Sequence, residues 1–238
     1  MKYLIKKELG HFFNNPFGFI ILIVFGVFVN FLFVKDLFLI GTVSMRQFFV
    51  TVPWVAMIFI PALAMRSLAE EKRLNTIEIL RTLPITETQI VLAKFVSLLI
   101  ISALGLVLTI GLPVSINILG SSVGSTLYLP EVFIGYVGLV AYFAMGLALS
   151  MFYSGMTSNQ VVALLLSAVT LFVLNLVGTD FVATVLPKAA QDVLVSLSPI
   201  NHLDVFVKGV LDMRSIFYFV STTTIFLFLT IIDLEKRT

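Results

Sequence analysis

From Phe17 to Val34 the chain runs for eighteen residues without an ionisable side chain. As a helix rising 1.5 Å per residue, such a run is about 27 Å long, close to the apolar thickness of a bilayer. Comparable apolar runs recur at 48–65, 90–112, 131–153, 160–178 and 215–232. Only 12% of the residues are charged and 59% are hydrophobic, against about 25% charged in an ordinary soluble domain. A soluble fold of this composition could not cover its surface with polar groups. The runs are continuous rather than alternating, which argues against the strands of a β-barrel. The sequence therefore predicts one all-α polytopic membrane domain over 1–238 with six transmembrane helices.

The segments between the runs carry the rest of the information. Residues 1–16 are basic and partly amphipathic, and predict a helix lying in the membrane interface with Lys2, Lys6 and Lys7 toward anionic headgroups. The apolar run that follows is too long for a signal peptide and has no small-residue cleavage site. Asn14-Asn15-Pro16 separates the two segments. Pro53 and Pro61 fall inside the second run and predict a kinked helix. Pro113 is expected to end the third. With the N-terminus inside, ten Lys and Arg lie on the cytoplasmic segments and five outside, so both termini are placed in the cytoplasm, at the inner membrane. No Asp, Glu, Lys or Arg falls at the centre of a run, which argues against an ion-coupled carrier.

The one long polar interruption is Arg66–Lys94. It predicts a loop over 66–89, followed by the start of the third span. Asn75 and Glu78 fit a capping box, Pro84 stops the short helix so begun, and Thr86 with Gln89 opens the next. Leu74, Ile77 and Leu80 give that short helix a narrow apolar stripe. It serves either as a solvated connector or as a docking helix for a partner.

The string Arg66, Ala69-Glu70-Glu71-Lys72-Arg73, Thr76-Ile77-Glu78-Ile79-Leu80, Thr82 and Pro84-Ile85-Thr86 resembles the loop after the second span in ABC-2-type exporter permeases. Within that family it is most similar to permeases of gliding motility and of copper or nitrous-oxide reductase maturation. The resemblance covers essentially the whole chain. It implies that the loop is the coupling helix seated on an ATPase subunit, with Glu70, Glu71, Leu74, Thr76, Ile77, Glu78, Leu80, Arg81 and Pro84 as the coupling residues. It implies a transport subunit rather than an enzyme, partnered by two copies of an ABC ATPase and by a second permease, identical or homologous. ATP and Mg would be bound by the ATPase, leaving no cofactor in this chain. A non-transporting membrane scaffold, or a secretion or maturation component that binds an ATPase, is the competing reading.

Other motifs carry less. Gly120–Thr126 has glycines beside Ser and Thr but lacks the lysine and the spacing of a phosphate-binding loop. There is no cysteine, so disulfides and thiolate metal sites are excluded. His11 and His202 are expected on opposite faces, and no catalytic, cofactor-binding or metal-binding residue is assigned. The net charge of +2 gives no reason to expect nucleic acid; membrane lipids are the expected surroundings. Gly146, Ser150 and Ser154 recur every four residues in the fourth run. They serve close helix packing, within one subunit or at a dimer seam. Within the outer loop 179–214, the segment Lys188–Arg214 is amphipathic and forms either short helices dipping into the outer leaflet or a simple extracytoplasmic loop; the resemblance implies the former. It also implies a cargo route between two permeases lined by spans 1, 2 and 5. Those spans offer Phe19, Phe25, Phe28, Phe31, Phe33, Trp54, Phe59 and Phe172, with Asn30, Ser167, Thr170 and Asn175 as the polar groups.

Overall fold

The computed structural model describes residues 1–40, 44–74, 86–122, 126–179 and 194–236. Helix α1 (Lys2–Phe13) ends at Asn14, and α2 (Pro16–Ile40) begins at once. The Asn15 side-chain oxygen accepts from the Phe17 N–H at 3.0 Å, and Pro16 takes the first helical position, where its missing N–H has no partner to lose. Helices α3 (Arg46–Ala64) and α4 (Ala69–Arg73) follow, then α5 (Glu87–Val107) and α6 (Gly111–Ser122). The long α7 (Leu129–Met156), α8 (Gln160–Val177), α9 (Pro199–Val207) and α10 (Met213–Glu235) complete the chain. Among the described residues, six segments are long and apolar enough to cross a membrane.

Helix α7 is the centre of the packing. It touches α3, α5, α8, α9 and α10, and Tyr142, Phe143, Leu147, Leu149 and Met151 are fully buried on it. Two glycines make the approach possible. A Cβ on Gly138 would lie 2.6 Å from that of Phe206, and one on Gly135 would meet the Phe49 ring at 2.5 Å. Helix α9 lies against this face through Leu203, Phe206 and Val207, all buried. It closes with Gly209 in the left-handed region (φ 77°). The Gly209 N–H donates to Phe206 O and the Val210 N–H to Val205 O, the paired bonds of a Schellman cap.

The third span departs from the expected boundaries. The chain turns at Leu108–Ile110 and resumes as α6, so Pro113 does not stop it. Pro113 is the third residue of α6, among the first four helical positions, whose N–H groups need no intrahelical acceptor. At the turn the Thr109 hydroxyl lies 2.6 Å from Leu106 O and 3.0 Å from the Tyr136 hydroxyl. The segment from Ser115, beyond the expected end of the third span, is helical to Ser122.

Candidate functional site at the end that carries both termini

The helix α4 is only five residues long; too short to be stable alone, it is held from outside. Ser154, at the end of α7, accepts from the Leu68 and Ala69 N–H groups at 3.2 and 3.0 Å and donates to Met65 O at 2.9 Å. One hydroxyl thus closes α3 and opens α4, satisfying backbone groups that helix ends leave unpaired. The Glu71 carboxylate meets Lys94 Nζ of α5 at 2.6 Å, and the same ammonium reaches Glu8 of α1 at 3.2 Å. Lys94 is only 4% exposed. On the other flank Lys72 Nζ lies 3.3 Å from Asp233 Oδ2 of α10. Polar side chains therefore tie α4 to α1, α5, α7 and α10. Beside this node the Arg66 guanidinium stacks on Phe17 at 3.8 Å.

Of the residues singled out in the loop, Glu71 enters the node and Glu70 lines a cavity next to it. Leu74 is exposed, with 58% of its surface free. Thr76, Ile77, Glu78, Leu80, Arg81 and Pro84 lie outside the described residues, as does the Asn75 cap. The second capping box is formed in part: the Thr86 hydroxyl accepts from the Gln89 N–H at 3.3 Å and starts α5. Among the described residues no group of three His, Asp or Glu side chains is placed to hold a metal ion.

A model of the family described as ABC-2 family transporter protein matches residues 3–234. The chain belongs to the ABC-2 transporter family. It is a multi-pass membrane permease of an ABC transporter, a transport subunit that works with an ABC ATPase. No curated protein matches it.

The permease uses its row of small residues internally. Gly146 faces Ile60 and Leu171, the Ser150 hydroxyl donates to Gly146 O at 2.8 Å, and Ser154 serves the node. All three are buried within one chain, so their packing is spent there. The residues named for a cargo route divide. Phe25, Phe33 and Phe59 are core, with Phe25 and Phe59 stacked at 3.9 Å, whereas Phe19, Phe28, Phe31 and Phe172 are exposed. Asn175 is fully buried: its side-chain amide exchanges hydrogen bonds with the Tyr142 hydroxyl at 2.9–3.1 Å, and its Nδ2 reaches Pro53 O at 3.5 Å. It therefore joins α8 to α7 and to the proline-containing α3, rather than lining a route. Ser167 is likewise buried and bonded to its own helix.

Glu8, Lys94 and Asp233 escape a reading based on sequence. Lys94 does leave a trace: Val91 and Leu98, three residues before and four after it, are both buried. A lysine on an apolar helical stripe calls for a buried partner.

Proposed function

We propose that this permease couples ATP hydrolysis by its separate ATPase to the export of an amphipathic or apolar cargo. The supporting observation is the attachment of α4, at the start of the loop, to four other helices through Ser154, Glu71–Lys94–Glu8 and Lys72–Asp233. A displacement of the loop by the ATPase would reach α1, α5, α7 and α10 at once. In this reading Glu70–Pro84 docks on the ATPase, Leu74, Ile77 and Leu80 supply the apolar contact, and Glu78 and Arg81 form a polar rim, while Glu71, expected in that rim, is turned inward to Lys94. The excess of Lys and Arg puts this end, with both termini, on the cytoplasmic face of the inner membrane.

The assembly is two permeases, identical or homologous, with two ATPases that bind ATP and Mg. The exposed aromatics of α2 and α8 form the seam and route, a lining that suits an apolar or lipid-linked cargo and offers little to hold a bare ion. A gliding-motility type of transporter is the version the loop string resembles most.

The test uses the permease co-expressed with its ATPase and reconstituted in nanodiscs and vesicles. Removing an apolar anchor from the centre of an interface costs about 2 kcal/mol or more. Leu80→Asp is therefore expected to release the ATPase while membrane insertion stays normal. Asp233→Asn is expected to keep the ATPase bound but to lower cargo movement per ATP. Normal recruitment and transport in Leu80→Asp would sink the docking role. Hydrolysis with no movement of any lipid, lipopeptide, hydrophobic drug or salt would instead support a scaffold.

A further inference from the structure

Between α1, the start of α2, the end of α3, α4 and α5 lies a cavity of about 400 Å³. That is at the low end for small-ligand pockets, enough for a headgroup and the first carbons of its chains. Its position is set by the sequence. Phe17 begins the first apolar run, and Arg66 follows the last residue of the second, so the cavity sits where apolar span gives way to polar surface.

Its walls differ. Phe12, Phe17 and Leu98 supply an apolar side, and Lys7, Arg66 and Glu70 a charged one. Arg66 is the informative residue. Its Nε is buried and meets no hydrogen-bond acceptor among the described residues. Its guanidinium carbon lies 3.8 Å over the Phe17 ring, a contact that satisfies none of its N–H donors. The carboxylates of Glu8 and Glu71 on the same wall both face Lys94, at 3.2 and 2.6 Å. A fixed, planar donor fork matches the geometry of a phosphate.

The wall as a whole is not basic. Lys94 faces two carboxylates, and Lys7 and Arg66 stand with Glu70, so cations and anions balance when His11 is neutral. A purely anionic headgroup meets no excess of positive charge there, whereas a zwitterion can match both signs.

We propose that this cavity binds a phospholipid of the adjoining leaflet whose headgroup carries a phosphodiester and a primary ammonium, that is, an ethanolamine phospholipid. Arg66, with Lys7, holds the phosphodiester; Glu70 accepts the ammonium; Phe12, Phe17 and Leu98 cover the first carbons of the chains. Such a lipid wedges α1 against α5 next to the Glu8–Lys94 pair.

The binding readout needs neither ATPase nor cargo. The full chain is extracted, its retained lipids are counted by native mass spectrometry, and its Tm is followed as single additives are returned. The additives are ethanolamine phospholipid, glycerol phospholipid, a phosphate-free glycolipid with the same chains, and inorganic phosphate. The proposal expects ethanolamine phospholipid to be retained and to raise Tm, with the glycolipid inert. Arg66→Gln should lower retention at least tenfold, while Arg214→Gln, at an exposed site at the start of α10, leaves it unchanged. If Arg66→Gln does not fold, the additive series on the wild-type chain decides alone. Equal stabilisation by the glycolipid would overturn phosphate recognition. Stabilisation by inorganic phosphate alone would reduce the site to a free-phosphate site. A preference for glycerol phospholipid would overturn the zwitterion assignment, and undiminished retention by Arg66→Gln would remove Arg66 from the site.

Discussion

At the end that carries both termini, Lys94 is 4% exposed and faces two carboxylates. At the far end, Arg46 pairs with Glu131 at 2.7 Å, yet its side chain is 60% exposed. Lys208 and Asp204 form a second exposed ion pair there, within the end of α9; between helices, the rest of the described far end is joined by packing and by uncharged hydrogen-bond partners. The His202 ring stacks on Tyr218 at 4.1 Å, and its Nε2 lies 2.9 Å from Ser196 O. Because a carbonyl can only accept, Nε2 carries a proton, and Nδ1 lies 3.2 Å from the Ser215 hydroxyl. The Tyr218 hydroxyl donates to Leu197 O at 2.6 Å. The two ends thus join helices by different means. Buried ion pairs tolerate little change in geometry and are costly to break, which suits a place where motion must be passed on rather than absorbed. Neutral bonds and apolar contact hold the far end with less at stake in any single group.

The largest expected effect follows from the first half of that contrast. Lys94→Ala leaves Glu8 and Glu71 facing each other across a buried gap without their cation. Breaking a buried pair in this way costs about 3–5 kcal/mol. A large fall in Tm and in yield of folded protein is expected, with partial recovery when Glu8→Gln and Glu71→Gln are added. A Lys94→Ala protein as stable as the wild type would erase the distinction between the two ends.

Ser154→Ala comes next. It removes the acceptor of two backbone N–H groups and the donor to Met65 O. Leaving buried polar groups unmet costs about 1–3 kcal/mol. Hydrogen exchange at Leu68 and Ala69 should quicken while exchange at the middle of α7 does not. Unchanged protection at those two amides would show that α4 is held by its ion pairs alone.

The six spans are legible because lipid imposes length and apolarity on each stretch separately, and Phe17–Val34 declares itself without reference to any other residue. The loop string is legible as a family pattern for the same reason: it is contiguous. What escapes is pairing at a distance. Glu8 and Lys94 are 86 residues apart, and although Glu8 is the one acid in α1, nothing local says which cation it meets. Asn175 reads as a polar group near a span end, and only the positions of Tyr142 and Pro53 reveal it as an internal tie. Pro113 misleads because proline is tolerated in the first turn of a helix as readily as after its end. At the turn 108–110 that creates such a first turn, Thr109 meets Tyr136 from another helix, a contact no local pattern announces.

At the far end, Tyr218→Phe sharpens the comparison. The ring and its stack on His202 remain, and one hydrogen bond to Leu197 O is lost. A typical internal hydrogen bond contributes about 0.5–1.5 kcal/mol. A Tm decrease smaller than that of Ser154→Ala is expected. A fall as large as that of Lys94→Ala would mean that the neutral end carries as much of the stability as the ionic one.

Arg46→Ala should have the smallest effect. The Arg46–Glu131 pair is short, and Glu131 raises the affinity of the guanidinium for its proton through their hydrogen bond and charge attraction. Short distance is nevertheless a poor guide here. The guanidinium stands in solvent, where water competes for the same donors, holding a long side chain in one rotamer costs entropy, and salt screens the attraction. The buried Lys94 node is shielded from salt by the helices around it. Tm measured across a salt series separates the two cases. Wild-type protein and Arg46→Ala should follow nearly the same curve, with any small offset between them shrinking as salt rises. The offset between wild type and Lys94→Ala should persist across the series. A large, salt-independent loss in Arg46→Ala would show that the far end, too, depends on an ion pair in a water-poor setting.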